Sequence, residues 1–189
     1  MGIISVYPFA DSYNSLDAIS IKPFTAFGPS GITVHYSADP NLERVKKHMI
    51  ETKIGYHFLI NKDGKIHQTS RMDHTVNHAG KAMWLKESPN RAHIAISLLS
   101  WGFLDKEMKA WTGELVANAV MRKGQYWDAA TKAQEDSLIS LCRYLATKFN
   151  MPRNSACGHD ECCLPVGRKQ DPGHVMSFDM AHLRGLIWA

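Results

Sequence analysis

No stretch of this chain comes near the roughly 18 to 20 consecutive apolar residues that a bilayer-spanning helix needs, so no transmembrane segment is expected. Cysteine is sparse: Cys142, Cys157, Cys162 and Cys163 are the four in 189 residues. They are too few and too bunched for a disulfide scaffold, which leaves free thiols or metal ligands. An excess of one charge sign is also missing, since 22 Lys and Arg against 18 Asp and Glu leave only +4. The basic residues are interspersed with acidic ones rather than gathered on a stripe, which argues against a nucleic-acid partner. Met1 to Ala10 lacks a basic segment followed by an apolar run and a small-residue cleavage site. Synthesis in a cytoplasm without an export signal is therefore expected. There is no internal repeat and no low-complexity linker.

What is present is an ordinary globular composition, 44% apolar and 10% aromatic, on a chain long enough for one well-filled core. One domain over residues 1–189 is expected. Residues 1–30, rich in Pro, Ser, Phe and Gly, read as an irregular arm with a short strand around Ile19 to Ile21. The β-branched run Ile32-Thr33-Val34-His35-Tyr36 follows Pro29-Ser30-Gly31 and reads as a strand. Asp39 as cap, Pro40 in the first turn, and Leu42, Val45, Met49 and Ile50 at helical spacing predict an amphipathic helix through Thr52. Tyr56 to Ile60 and Lys65 to Gln68 flank Asn61-Lys62-Asp63-Gly64, and Asp-Gly supplies the positive-φ positions of a tight hairpin turn. Thr75 to His78 reads as a short strand and His93 to Leu99 as a central one. A helix is expected at Thr112 to Met121, a long one from Thr131 to Phe149 ended by Pro152, and a last one from Ser177 to Ile187.

The chemistry-bearing residues are few. His35 closes a predicted strand, and His159 lies after the long helix in a segment that also holds Asp160, Glu161, Cys162, Cys163 and Asp171. A catalytic zinc takes three protein ligands from imidazole, thiolate or carboxylate and leaves a fourth position to water. His35, His159 and one acid or thiol would satisfy that count. Spacing alone is a weak signal: ten His residues make chance pairings common, and a lone buried His is more often a hydrogen-bonded core residue.

Order and local wording add more. Val34-His35-Tyr36-Ser37-Ala38, Gly55-Tyr56-His57-Phe58-Leu59-Ile60, His78-Ala79-Gly80, Asn90 before Ile94-Ala95-Ile96, and Gly158-His159 followed by Gly167-Arg168-Lys169-Gln170-Asp171-Pro172-Gly173 occur in that order. Together they resemble the type-2 N-acetylmuramoyl-L-alanine amidase family over about residues 30 to 175. The arm and most of residues 102–126, an expected insertion, lie outside the resemblance.

The resemblance implies a single α/β domain with a mixed central β-sheet flanked by helices and one zinc in a surface groove. It implies His35, His159 and Asp171 as ligands. The stretch from His159 to Asp171 is about two residues longer than in relatives and contains Cys162-Cys163, so a competing thiolate is an alternative to Asp171. Lys169 matches the family's catalytic lysine, suited to an oxyanion, against the commoner fate of a solvated surface lysine. Tyr56 matches the tyrosine of phage and animal members, whereas Ser97 stands where cytoplasmic recycling amidases carry a glutamate. His78 and Asn90 fall in groove-lining segments and are candidates for substrate binding. Trp84, Trp101, Trp111 and Trp127 read as packing before sugar platforms.

The implied activity is hydrolysis of the amide between N-acetylmuramic acid and the L-alanine of the stem peptide. The expected form is a monomeric phage endolysin, made in the host cytoplasm and acting on peptidoglycan in the periplasm. The alternatives are a recycling amidase for soluble muropeptides and a non-catalytic peptidoglycan-binding module.

Overall fold

The computed structural model describes residues 6–16, 18–25 and 27–189. Met1 to Ser5, which carry half of the segment read for an export signal, lie outside the described residues. Six strands form the main sheet in the order β1 (Ser12–Tyr13), β4 (Ile66–Gln68), β3 (Phe58–Ile60), β5 (His93–Leu98), β2 (Gly31–Tyr36) and β9 (Ala156–Gly158). Only the β3–β4 pair is antiparallel; β2 lies parallel to both β5 and β9. The sheet is therefore mixed, with its middle strands buried on both faces, as their near-continuous apolar runs require.

Side-chain alternation divides those strands. Ile32, Val34, Phe58, Ile60, Ile94, Ile96 and Leu98 turn to one core with α3 (Lys132–Lys148) and α5 (Met180–Ile187). Leu59, Ala95 and Leu99 turn to the other, against Val45 and Met49 of α1 (Leu42–Thr52). His35, between Val34 and Tyr36, shares this second face by the period of two.

The caps explain where helices begin. Thr131 accepts from the Gln134 amide and Gln134 reaches back, a capping box that starts α3 where the spacing predicts. At α1 the cap is Asn41 rather than Asp39: the Asn41 side chain accepts from the Arg44 amide, while the Asp39 carboxylate is taken by the Asn41 amide and the Arg44 guanidinium. Asp179 caps α5, so this helix starts three residues later than the apolar spacing suggests.

Several expectations change. Ile19 to Ile21 is not a strand; Ile19 is a buried side chain of the α1-side core. Thr75 to His78 is not one either, although Ile21 and Thr75 exchange backbone bonds with their surroundings, including Thr75 N–H to Lys22 O at 2.7 Å. The described part of the arm packs on the core: Tyr7 meets Phe58 and Tyr144 edge-on, and β1 adds a strand to the sheet. Thr112 to Met121 is not a helix, because Gly113 takes φ +85° and Lys109 bridges Leu115, turning the chain back on itself. Residues 102–128 instead hold a second, three-stranded antiparallel sheet in the order β6 (Gly102–Leu104), β8 (Gln125–Asp128), β7 (Val120–Arg122). Two single turns of helix, α2 (Pro89–Ala92) and α4 (His159–Cys162), complete the list of described elements.

Candidate metal centre

Three distant segments deliver the site. His35 comes from β2, His159 is the first residue of α4 directly after β9, and Asp171 lies in the loop that follows. Because β2 and β9 are parallel neighbours, with Val34 opposite Gly158, the two imidazoles emerge at the same end of the sheet. Their ring centroids are 4.7 Å apart. Asp171 Oδ2 lies 2.7 Å from His35 Nδ1 and 2.9 Å from His159 Nδ1.

The Asp171 segment is itself tied down. Its carbonyl accepts from the Asp160 amide at 2.7 Å. Two residues on, Gly173 packs so tightly on Trp127 of β8 that an added Cβ would sit 2.6 Å from the ring. Arg122 of β7 donates to the carbonyls of His174, Val175 and Met176. The three-stranded sheet thus braces the loop that carries the carboxylate.

The donor chemistry fits a divalent cation. His159 Nε2 lies 3.0 Å from the Ala79 carbonyl, an acceptor only, so this nitrogen carries the proton. Nδ1, 2.9 Å from the Asp171 carboxylate, is then the nitrogen left for a cation; with none bound, a proton closes that contact. One nitrogen or oxygen from each of His35, His159 and Asp171 falls within 4.8 Å of the others. His35 is 1% exposed and its pKa is lowered, chiefly by burial, so it stays neutral and able to ligate. Burial alone would raise Asp171, but the bonds to His159 and His35 outweigh it and hold the carboxyl well below its ordinary range. Asp171 keeps 13% of its side chain exposed, which leaves one approach open. Two histidines, one carboxylate and an open side is the donor set of a catalytic zinc site.

The thiols stand apart from this cluster. Cys162 Sγ points at the His159 carbonyl and Cys163 Sγ at the carbonyls of Asp160 and Pro165. Both are buried and free.

Around the centre, the Tyr56 ring lies 5.1 Å from that of His35. Burial, then the Asp171 charge, raises its phenol above the ordinary 10.0, so it remains a proton-bearing donor. Ser97 sits in register with His35 on β5, where it is fully buried. A cavity of about 550 Å³ opens beside His159 and is lined by Asn77, His78, Asn90, Arg168 and Lys169 among others. Lys169 is exposed and, among the described residues, has no hydrogen-bond or ion-pair partner, leaving its ammonium free. His78 and Asn90 do face this cavity, but their polar atoms are engaged within the protein. His78 bonds His35 Nε2 at 3.0 Å and the Pro89 carbonyl at 3.1 Å. Asn90 bonds the amides of His78 and Ala79 and the Gly80 carbonyl. Sequence reasoning passed over Arg122, whose bonds to the loop after Asp171 have no signature in spacing; Trp127, read as packing, does pack on that loop at Gly173.

Fold and site together define an α/β protein with a largely buried His-His-Asp cluster, open on its Asp171 side, at one end of a mixed sheet and able to hold a divalent cation. The chain belongs to the N-acetylmuramoyl-L-alanine amidase family, whose sequence profile matches residues 26–174. It is 28% identical over 150 residues to the 1,6-anhydro-N-acetylmuramyl-L-alanine amidase AmpD of Citrobacter freundii. That match covers 79% of this chain and 65% of AmpD, so the chain spans just under two thirds of this curated relative. Among solved structures, a selenomethionine AmpD derivative superposes with a TM-score of 0.64 at 22% identity, covering 97% of each chain. The endolysin amidase LysCS of Clostridium intestinale gives 0.62 at 22% identity, covering 96% of each. The amidase AmiD of E. coli, in complex with anhydro-N-acetylmuramic acid-L-Ala-D-γ-Glu-L-Lys, gives 0.64 at 19%, covering 84% of this chain and 57% of that one. These likenesses show the shared fold.

Proposed function

We propose that the protein is a zinc-dependent peptidoglycan amidase that hydrolyses the bond between the lactyl group of N-acetylmuramic acid and the L-alanine of the stem peptide. The observation that carries this reading is the convergence of His35, His159 and Asp171 beside Lys169, unpaired among the described residues, and a half-buried Tyr56. A zinc ion held by the three ligands would polarise the scissile carbonyl and lower the pKa of a bound water. The Lys169 ammonium, free at the cavity mouth, stabilises the negative charge that develops on the carbonyl oxygen. Tyr56, held protonated by burial, donates a hydrogen bond to the same region. His78 and Asn90 shape the cavity wall that receives the substrate. Water adds to the carbonyl carbon, the C–N bond breaks, and the alanine nitrogen leaves with a proton.

We place the enzyme among lysins that act on the polymer, one zinc per monomer, made in a cytoplasm and reaching the wall at lysis. Tyr56 beside His35, with the small Ser97 on the adjacent strand in place of an acid, supports that branch. The similarity to AmpD favours a second reading, a recycling enzyme for soluble anhydro-muropeptides. Permeabilised Gram-negative cells and a soluble anhydro-muropeptide are offered to the native protein, with a chelator and with His159→Ala as controls. Clearing of cells with new N-terminal alanine, abolished in both controls, supports the lysin. Cleavage of the soluble fragment alone supports recycling, and folded, zinc-loaded protein that cuts neither substrate refutes the amidase.

A further inference from the structure

His35 and His159 come to present Nδ1 by different routes. His159 donates from Nε2 straight to the Ala79 carbonyl at 3.0 Å. His35 has no carbonyl at its Nε2; it meets the imidazole of His78, Nε2 to Nδ1, at 3.0 Å. That second ring ends on the Pro89 carbonyl, 3.1 Å from His78 Nε2. A carbonyl can only accept, so His78 Nε2 donates and, in the neutral ring, His78 Nδ1 accepts. His35 must then donate from Nε2, which makes Nδ1 the nitrogen that can ligate: with no cation bound, its 2.7 Å contact with Asp171 Oδ2 is closed by a proton between them, and a cation takes that proton's place. The opposite tautomer of His78 would set a bare Nε2 against the Pro89 oxygen, two acceptors in contact.

We infer that His78 is a positioning residue for the metal centre: the hydrogen-bond relay Pro89 carbonyl, His78, His35 fixes the tautomer and ring orientation with which His35 presents Nδ1 to the cation. The inference rests on the zinc reading above. The same short segment serves both ligands, since the carbonyl that orients His159 belongs to Ala79, the next residue. Asn90 holds this segment by accepting from the His78 and Ala79 amides at 2.9 Å each and donating to the Gly80 carbonyl at 2.8 Å. Arg168 adds a donor to the Ala79 carbonyl at 3.1 Å. His78 is 5% exposed, so its ring is committed to the protein more than to the cavity. Partners that orient a ligating imidazole typically account for about 10- to 100-fold in metal affinity.

The test is the zinc dissociation constant of the full chain, measured by competition with a chromogenic chelator, for the native protein, His78→Leu and His78→Asn. Leucine removes the acceptor for His35 Nε2; the asparagine Oδ1 falls where His78 Nδ1 was and restores it. Zinc binding weakened about 10- to 100-fold in His78→Leu and largely recovered in His78→Asn is the expected result. Equal loss in both variants, or native zinc affinity in His78→Leu with only a raised KM, overturns the proposal. Nitrogen-15 NMR of the histidine rings in the native, metal-free chain gives a reading that no variant has to fold for. A proton on Nε2 of His78 and on Nε2 of His35 is expected, and a proton on Nδ1 of His78 would sink the relay. A native chain that binds no zinc at all would instead overturn the zinc reading itself, leaving the tautomers still readable.

Discussion

At the scale of single residues, the proposed ligands and the proposed catalytic groups are separate. Lys169 touches none of the three ligands by hydrogen bond or ion pair among the described residues, so its loss should not loosen the metal. Lys169→Ala is expected to lower kcat about 100- to 1000-fold, the range for removing one fixed oxyanion donor, with the zinc dissociation constant unchanged in the same chelator competition. Tyr56→Phe removes one hydrogen bond and is expected to cost about tenfold in kcat. The phenol is raised above 10.0 by burial, so it is a donor and not a base at neutral pH. The shape of rate against pH should therefore be the same for Tyr56→Phe and native enzyme up to pH 9; a lost alkaline limb would show that Tyr56 titrates in turnover.

At the scale of elements, the second sheet is joined to the site through glycines that admit no side chain. Gly102, the first residue of β6, has φ +75° and lies so close to the Tyr36 ring that a Cβ would meet it at 2.1 Å. Tyr36 directly follows the proposed ligand His35 on β2. Gly102→Ala combines a left-handed backbone with a steric clash and should destabilise the fold by about 2 to 4 kcal/mol, read as a lowered denaturant midpoint. The start of α3 is worth less. Thr131 accepts from the Gln134 amide and donates to the Lys62 carbonyl, and Thr131→Ala should cost about 1 kcal/mol without altering zinc affinity. The contrast separates an element that frames the site from one that closes the far core.

At the scale of the whole molecule, buried neutral histidines set an acid limit. Burial pushes the pKa of His57 and of His93 down to about 4 from the ordinary 6.5. His57 is held neutral between the His74 carbonyl and the Ala95 amide. Between these two values the unfolded chain binds the extra protons and the native chain does not, so stability rises with pH through this window and falls as pH drops from 6.5 toward 4. The loss is on the order of 3 kcal/mol per histidine by pH 4, and urea midpoints measured across the window should decline together with it. A flat stability curve over this range would contradict the buried neutral state of both rings.

Much of this architecture is legible in the sequence because it depends on near neighbours. Alternation in Ile32 to Tyr36 and His93 to Leu99, the Asp-Gly turn before Lys65, and Thr131 with Gln134 at the head of an apolar stripe each obey a local period or cap. The grouping of His35, His159 and Asp171 is legible only through the resemblance of their wording to a family; His35 and Asp171 are 136 positions apart, and that spacing carries no signal of its own. What the tertiary structure alone decided is how those residues meet. The pairing of β2 with β9 brings two imidazoles to one end of the sheet, a sheet in residues 102–128 replaces an expected helix and braces the Asp171 loop, and the ring of His78 ends on a carbonyl eleven residues away. Those contacts join segments distant in the chain through backbone carbonyls and glycine gaps, and such groups are present in every sequence, so only folding gives them an address.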